Sequence, residues 1–199
     1  MRTLLLTGFE PFLDVHLNPS GELARALDGA RLGGGAAGDL EVRGRVLPVA
    51  FERAPRELEA ALDELGEGVA AVVSLGVHRG TPFRLEERAR SVFQSTQPDN
   101  DGHLGAAVEL EGPPERRTTL DLERCERWLQ EAGAAEVSRS SDAGGYLCER
   151  IYRAGLDAAE GLEIPALFLH VPPVEHLTVS GQEPVVRGFL EALARHLDG

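Results

Sequence analysis

The sequence predicts an α/β domain with a largely parallel sheet. Short apolar runs alternate with stretches of helical period along the chain, as in strands joined by helical crossovers. The clearest run, Val69–Val77, carries β-branched residues and turns at Gly76. The length of 199 residues suits a single core, so one domain is expected.

Each element has its own reason. Thr3–Phe9 reads as a buried first strand. Asn18 can cap a helix with Pro19 in its first turn, running to about Leu27. Val42–Phe51 reads as a strand broken or bent at Pro48. Ala54–Leu65 puts Leu58, Ala61, Leu62 and Leu65 on one helical face and acids on the other. Phe83–Phe93 reads as a more exposed strand or hairpin arm, because charges interrupt it at Glu86, Glu87, Arg88 and Arg90. Pro98–Thr119 is long for a connection and rich in Gly, Pro and charge, so it is expected to be a functional loop or an extra hairpin. A helix over Leu120–Ala132, a strand over Ala134–Ser140, a helix over Tyr146–Ala159, a strand over Ala166–Val171 and a helix over Glu183–Leu197 complete the reading.

Composition narrows the function. Hydrophobic residues make up 42% and charged residues 27%, too apolar for a disordered chain. Twenty basic residues, every one an Arg, face 33 acids for a net charge of −13, which disfavours a nucleic-acid partner. No run approaches the ~20 apolar residues of a membrane span, so no membrane partner is expected. Thr3–Thr7 meets Gly8 too early for a signal sequence, and two cysteines make no disulfide framework. A cytoplasmic protein is the expectation. Gly33-Gly34-Gly35-Ala36-Ala37-Gly38 matches G-x-G-x-x-G literally, but a helix precedes it and a strand follows, the reverse of a dinucleotide site. It reads as a surface loop.

Chemistry points to Cys148. Ser140-Ser141-Asp142-Ala143-Gly144-Gly145-Tyr146-Leu147-Cys148 runs from a strand end through a glycine turn into a helix. Free N–H groups and the positive end of the helix dipole at such a start favour a thiolate and can hold an oxyanion. Cys125, beside Leu122, Trp128 and Leu129, reads as core. His170 ends an apolar strand, where α/β sheets gather their catalytic groups. The remaining histidines form no ligand pattern, so no metal or other cofactor is expected. Glu86 and Glu87 would face opposite sides of a strand, one able to orient a histidine while the other meets solvent or an arginine. Phe9 and Phe12, directly after the first strand, can wall a small flat ligand.

Several separated blocks carry a resemblance. Leu5-Leu6-Thr7-Gly8-Phe9-Glu10-Pro11-Phe12 with Asn18-Pro19, Asp142–Cys148, Phe168-Leu169-His170-Val171-Pro172, and Glu87-Arg88-Ala89 with Pro98-Asp99-Asn100-Asp101-Gly102 follow in the order found in pyroglutamyl peptidase I. The chain resembles that family of cysteine exopeptidases. The resemblance implies a single-domain α/β/α sandwich with a mixed, largely parallel central sheet. It implies a triad with Cys148 as nucleophile, His170 as general base and acid, and Glu87 as orienting carboxylate. Phe9, Phe12, Val49, Val77, Tyr146 and Leu147 fall on positions lining the family's pocket. The implied substrates are peptides with an N-terminal pyroglutamate, whose uncharged lactam suits an apolar aromatic slot. A homotetramer is implied as well.

The chain also departs from the pattern. Val77 replaces a Gln, Val49 a Thr, Glu149 an Asn after the nucleophile, and Arg90-Ser91 interrupts the block after Glu87. The arginine before Pro-Asp-Asn is absent, with Thr96 or Gln97 near its place, and Pro173-Val174-Glu175-His176 loses the pattern after His170. Two other readings therefore stand beside the first: a thiol amidohydrolase for another small acyl-amide, and a catalytically silent binder of a small ligand.

Overall fold

A computed structural model describes residues 2–13, 15–33, 40–104 and 108–197. The strands are β1 (Arg2–Phe9), β2 (Arg31–Leu32), β3 (Leu40–Leu47), β4 (Val69–Val77), β5 (Phe83–Glu86), β6 (Arg88–Arg90), β7 (Val92–Phe93), β8 (Val108–Glu109), β9 (Glu115–Arg117), β10 (Val137–Ser140) and β11 (Ala166–Val171). The α-helices are α1 (Pro19–Leu27), α2 (Arg53–Leu65), α3 (Leu122–Glu131), α4 (Leu147–Leu162) and α5 (Val179–Leu197).

Seven strands form the central sheet in the order β10-β5-β11-β4-β1-β3-β2. The pairs β1–β3, β1–β4, β4–β11 and β5–β10 are parallel, whereas β5–β11 and β2–β3 are antiparallel. Side chains alternate across each strand, so the sheet builds two cores. Leu4 and Leu6 pack with Leu23, Cys125, Leu129, Phe189 and Leu193 under α1, α3 and α5. Leu5 and Phe9 pack with Leu58, Leu62, Ile151, Tyr152 and Leu156 under α2 and α4. The expected α/β/α layering with a mixed, largely parallel sheet is what forms.

Two interruptions have local causes. The segment expected to run as one arm from Phe83 to Phe93 divides into β5, β6 and β7, because Glu87 leaves the central sheet and β6 pairs with β9 instead. β7 pairs with β8, so the 98–119 region contributes strands to two small antiparallel ribbons. The last helix starts at Val179, four residues earlier than expected. Thr178 Oγ1 accepts the Gly181 N–H at 3.3 Å and supplies the start, which leaves Pro184 inside the helix. Asp121 caps α3 by accepting the Glu123 N–H at 2.9 Å. Of the glycine run read as a surface loop, positions 34–38 lie outside the described residues. Among the described residues no helix is long and apolar enough to cross a membrane.

α1 approaches the sheet backbone to backbone, and glycines make that possible. A Cβ on Gly8 would lie 2.0 Å from the Ser20 carbonyl oxygen, and one on Gly44 would lie 2.0 Å from that of Ala24. Backbone cannot give way as a flexible side chain can. Gly8→Ala is expected to cost more than the ~1–3 kcal/mol of ordinary overpacking, read as a lowered urea midpoint. An unchanged midpoint would contradict this packing.

Candidate active site

The carboxyl ends of β4 and β11 lie side by side, with His170 in register with Gly76. On the other side of β11, β5 places Arg84 opposite His170 and Glu86 opposite Phe168. Residues two apart share a face, so Arg84, Glu86, Phe168 and His170 all project into the layer of α2 and α4. His170 Nδ1 lies 2.7 Å from Glu86 Oε1, and both side chains are buried. A carboxylate oxygen is an acceptor, so Nδ1 carries the proton and Nε2 is left free to accept one. Arg84 Nε donates to the same Oε1 at 2.9 Å, while the Tyr152 hydroxyl donates to the Glu86 backbone carbonyl at 2.8 Å. Glu86 Oε2 has no partner among the described residues.

The cysteine arrives from α4, in that same layer. Asp142 Oδ1 accepts the Gly144 N–H at 3.0 Å, and Gly144 and Gly145 follow with φ of 97° and 66°. These left-handed values favour glycine at both positions. α4 then starts at Leu147, and its cap residue Tyr146 makes no side-chain cap bond. The hydroxyl of Tyr146 donates instead to the Pro98 carbonyl at 2.9 Å. Cys148 is therefore the second helical residue, in a turn whose N–H groups the cap residue's side chain leaves unmet. Its Sγ lies 3.0 Å from where a Cβ on Gly76 would stand. Gly76 pairs with His170, so the thiol stands over the strand next to the one that carries the imidazole.

Charge at this site is set by burial. Burial pushes the Cys148 thiol up to about 12, with Glu86 adding to the rise and Arg84 opposing it. Burial likewise holds His170 below its ordinary 6.5; the Glu86 contact works against this, and Arg84 works with it. Burial thus works against both the thiolate and the imidazolium. The helix start alone would favour a thiolate; here desolvation outweighs it.

Glu87 is a correction. The resemblance gave it the orienting role, but its side chain is exposed and pairs with Arg117 on β9. Glu86 is the carboxylate that meets His170. Consecutive strand residues face opposite ways, so only one of the two can point into the layer above the sheet.

The six expected pocket residues converge. Phe9, Phe12, Val49, Val77, Tyr146 and Leu147 line one slot with Cys148 at its edge. Asn18, which the sequence reading used as a helix cap and as part of the first block of the resemblance, joins them. Its Oδ1 accepts the Ser20 N–H at 3.2 Å and its Nδ2 donates to the Glu10 carbonyl at 3.0 Å, which ties the loop after β1 to α1. The Pro-Asp-Asn segment ties the opposite wall. Asp99 Oδ2 accepts the Phe51 N–H at 2.9 Å, and Asn100 reaches the Val49 and Pro11 carbonyls at 2.8 and 3.0 Å. The slot's cavity measures about 20 Å³, room for about one water.

A thiol at a helix start, an imidazole and a buried carboxylate at the carboxyl edge of an α/β sheet are the parts of a cysteine hydrolase. Comparison with known proteins narrows this class. The pyroglutamyl peptidase family model matches residues 2–187. A pyrrolidone-carboxylate peptidase of Pseudomonas fluorescens is 34% identical over 186 residues, covering 92% of this chain and 84% of that protein. The Pyrococcus furiosus pyrrolidone-carboxylate peptidase is 34% identical over 174 residues, covering 85% of this chain and 80% of that protein. The solved structure of pyrrolidone carboxyl peptidase from Thermococcus litoralis superposes with a TM-score of 0.86 at 27% identity, covering 96% and 93% of the two chains. The chain belongs to the pyroglutamyl peptidase family and is a cysteine-type exopeptidase.

Two outcomes follow from the geometry. Gly76→Ala puts a methyl 2.8 Å from the Phe168 ring and 3.0 Å from Cys148 Sγ. We expect turnover to fall by about 100-fold, since a reacting atom displaced by ~1 Å costs that much. Turnover within the error of the parent would place the thiol elsewhere. A neutral His170 must accept a proton, and its pKa is depressed, so kcat/KM should hold down to 6.5 and fall only below it. The unfolded chain binds that proton first, so acid also destabilises the fold in the same window. An acid limb centred above 6.5 would show an imidazolium stabilised at rest.

Proposed function

We propose that the chain hydrolyses the amide bond following an N-terminal pyroglutamyl residue, with Cys148 as nucleophile, His170 as base and acid, and Glu86 as the orienting carboxylate. The observation that carries this is the His170–Glu86 bond beside a helix-start cysteine at the edge of an apolar slot. The slot suits an uncharged lactam, whereas a charged amino-terminus would be desolvated there without compensation.

The residues divide the work as follows. As Cys148 Sγ attacks the pyroglutamyl carbonyl, its proton passes to His170 Nε2. Glu86 faces the other nitrogen and stabilises the imidazolium. The carbonyl oxygen gains charge toward the unmet N–H groups at the start of α4. The carbon–nitrogen bond breaks, His170 returns the proton to the departing amine, and a thioester remains. Water then attacks the thioester, giving its proton to His170. Pyroglutamate leaves and the thiol is restored.

The chain acts as one domain in this proposal, in a reducing compartment such as the cytoplasm. Its two cysteines, both free, support that setting. Assembly as a homotetramer is part of the proposal on the resemblance.

Release of a fluorescent amine from a pyroglutamyl amide tests the reading. Cys148→Ala should abolish release and Cys125→Ala, in the core beneath α3, should retain it. Glu86→Gln should lower kcat by ~10⁴, as loss of an orienting carboxylate does elsewhere, while Glu87→Gln stays near the parent. The opposite ranking of the two glutamates would sink the assignment. A second reading, a different small acyl group, is favoured by Val49 and Val77 in the slot wall. A panel of acyl amides on which pyroglutamyl is not the best substrate would establish it.

A further inference from the structure

Two departures from the family pattern that lie far apart in sequence, Arg90 in β6 and Glu149 next to Cys148, meet in space. The Arg90 backbone N–H donates to Glu149 Oε1 at 2.6 Å, and Arg90 Nη2 donates to Glu149 Oε2 at 3.0 Å. The same Nη2 donates to Asp142 Oδ1 at 2.5 Å. Asp142 opens the turn that delivers Cys148, and Glu149 closes it. We propose that Arg90 is a positioning residue, one guanidinium that holds both ends of the nucleophile turn and so keeps Cys148 Sγ seated over Gly76.

The turn needs such a tie. Gly144 and Gly145 both stand at positive φ and have no side chains to anchor, and Tyr146 supplies no cap to the helix. Arg88, two residues from Arg90 and on the same face of β6, donates to the Ser141 carbonyl at 3.1 Å, so the same ribbon grips the entry to the turn twice. Glu149 is buried, with 1% of its surface exposed. A buried carboxylate stripped of its cation would stand one residue from the thiol, uncompensated. The nearby carboxylates Glu86 and Glu149 both push the Cys148 thiol upward, and Arg84 pushes it down. A guanidinium is suited to this in a way an ammonium is not, since its planar fork reaches two carboxylates at once.

This inference rests on Cys148 being the nucleophile, and the experiment separates the two claims. Arg90→Gln, Arg90→Lys and Asp142→Asn would be compared with the parent for kcat and KM on a pyroglutamyl amide, for the rate at which iodoacetamide labels Cys148, and for Tm. We expect Arg90→Gln to lose about 100-fold in kcat with KM nearly unchanged, because an interaction that places the reacting atom is lost. Arg90→Lys should recover part of that loss. Asp142 is exposed, so Asp142→Asn should fold normally and still lose about tenfold in kcat, with altered labelling of Cys148. Parent-like kcat and labelling in Asp142→Asn and Arg90→Lys would overturn the proposal, as would a kcat loss that only tracks loss of folded protein. If Arg90→Gln does not fold, Asp142→Asn decides. If the parent does not turn over pyroglutamyl amides, the function reading fails, and the labelling rates alone decide the role of Arg90: equal rates overturn it.

Discussion

The 2.7 Å contact between His170 Nδ1 and Glu86 Oε1 is the constraint around which the carboxyl edge of the sheet is built. A carboxylate and an imidazole out of water are costly unless each is partnered, and here each partners the other. The contact exists because β5 runs antiparallel to β11, which sets Glu86 opposite Phe168 and diagonal to His170. A register shift of one residue would turn Glu86 into the core that now holds Leu85 and put Leu85 beside His170, losing the pair and burying a charge among apolar side chains. Arg84 and Tyr152 add bonds from two directions to the same glutamate.

Around that pair the chain uses arginine wherever a loop must be tied to the scaffold. Arg84 holds Glu86, Arg88 and Arg90 hold the nucleophile turn, and buried Arg153 joins α4 to the loop before β9 through the Pro113 carbonyl at 2.8 Å. The Arg88, Arg90 and Arg153 ties join segments distant in sequence, and Arg90 and Arg153 use more than one N–H of a single fork. A chain whose cations are all Arg is well supplied with this kind of bridge. The Arg84, Arg88 and Arg90 ties brace the glutamate that meets the imidazole and the turn that carries the thiol, from outside the slot itself.

Much of this was legible from residue pattern alone. β4 and β11 were readable to their end residues, because β-branched and apolar runs bounded by glycine or proline admit few alternatives. Phe9 and Phe12 were readable as a wall because they stand at the end of the first strand and on the loop after it, whereas Val49, Val77, Tyr146 and Leu147 were named by the resemblance. The choice between Glu86 and Glu87 was not readable. Two adjacent acids look alike in a line of letters, and the pleat that separates them is set only when β5 pairs with β11. The division of 83–93 escaped for the same reason, since β6 and β7 find partners in β9 and β8, many residues downstream.

The sequence by itself determined the layered α/β architecture, the helix-start cysteine, the strand-end histidine and the apolar walls beside them. These follow from local period, turn residues and side-chain size, which act over a few residues. Tertiary structure alone decided which glutamate meets His170, that Cys148 sits over Gly76, and that Arg90 and Glu149 form one pair. It also decided the direction in which burial moves the thiol. Strand register and burial are properties of the packed chain, and a pKa follows the dielectric and the neighbours that packing supplies.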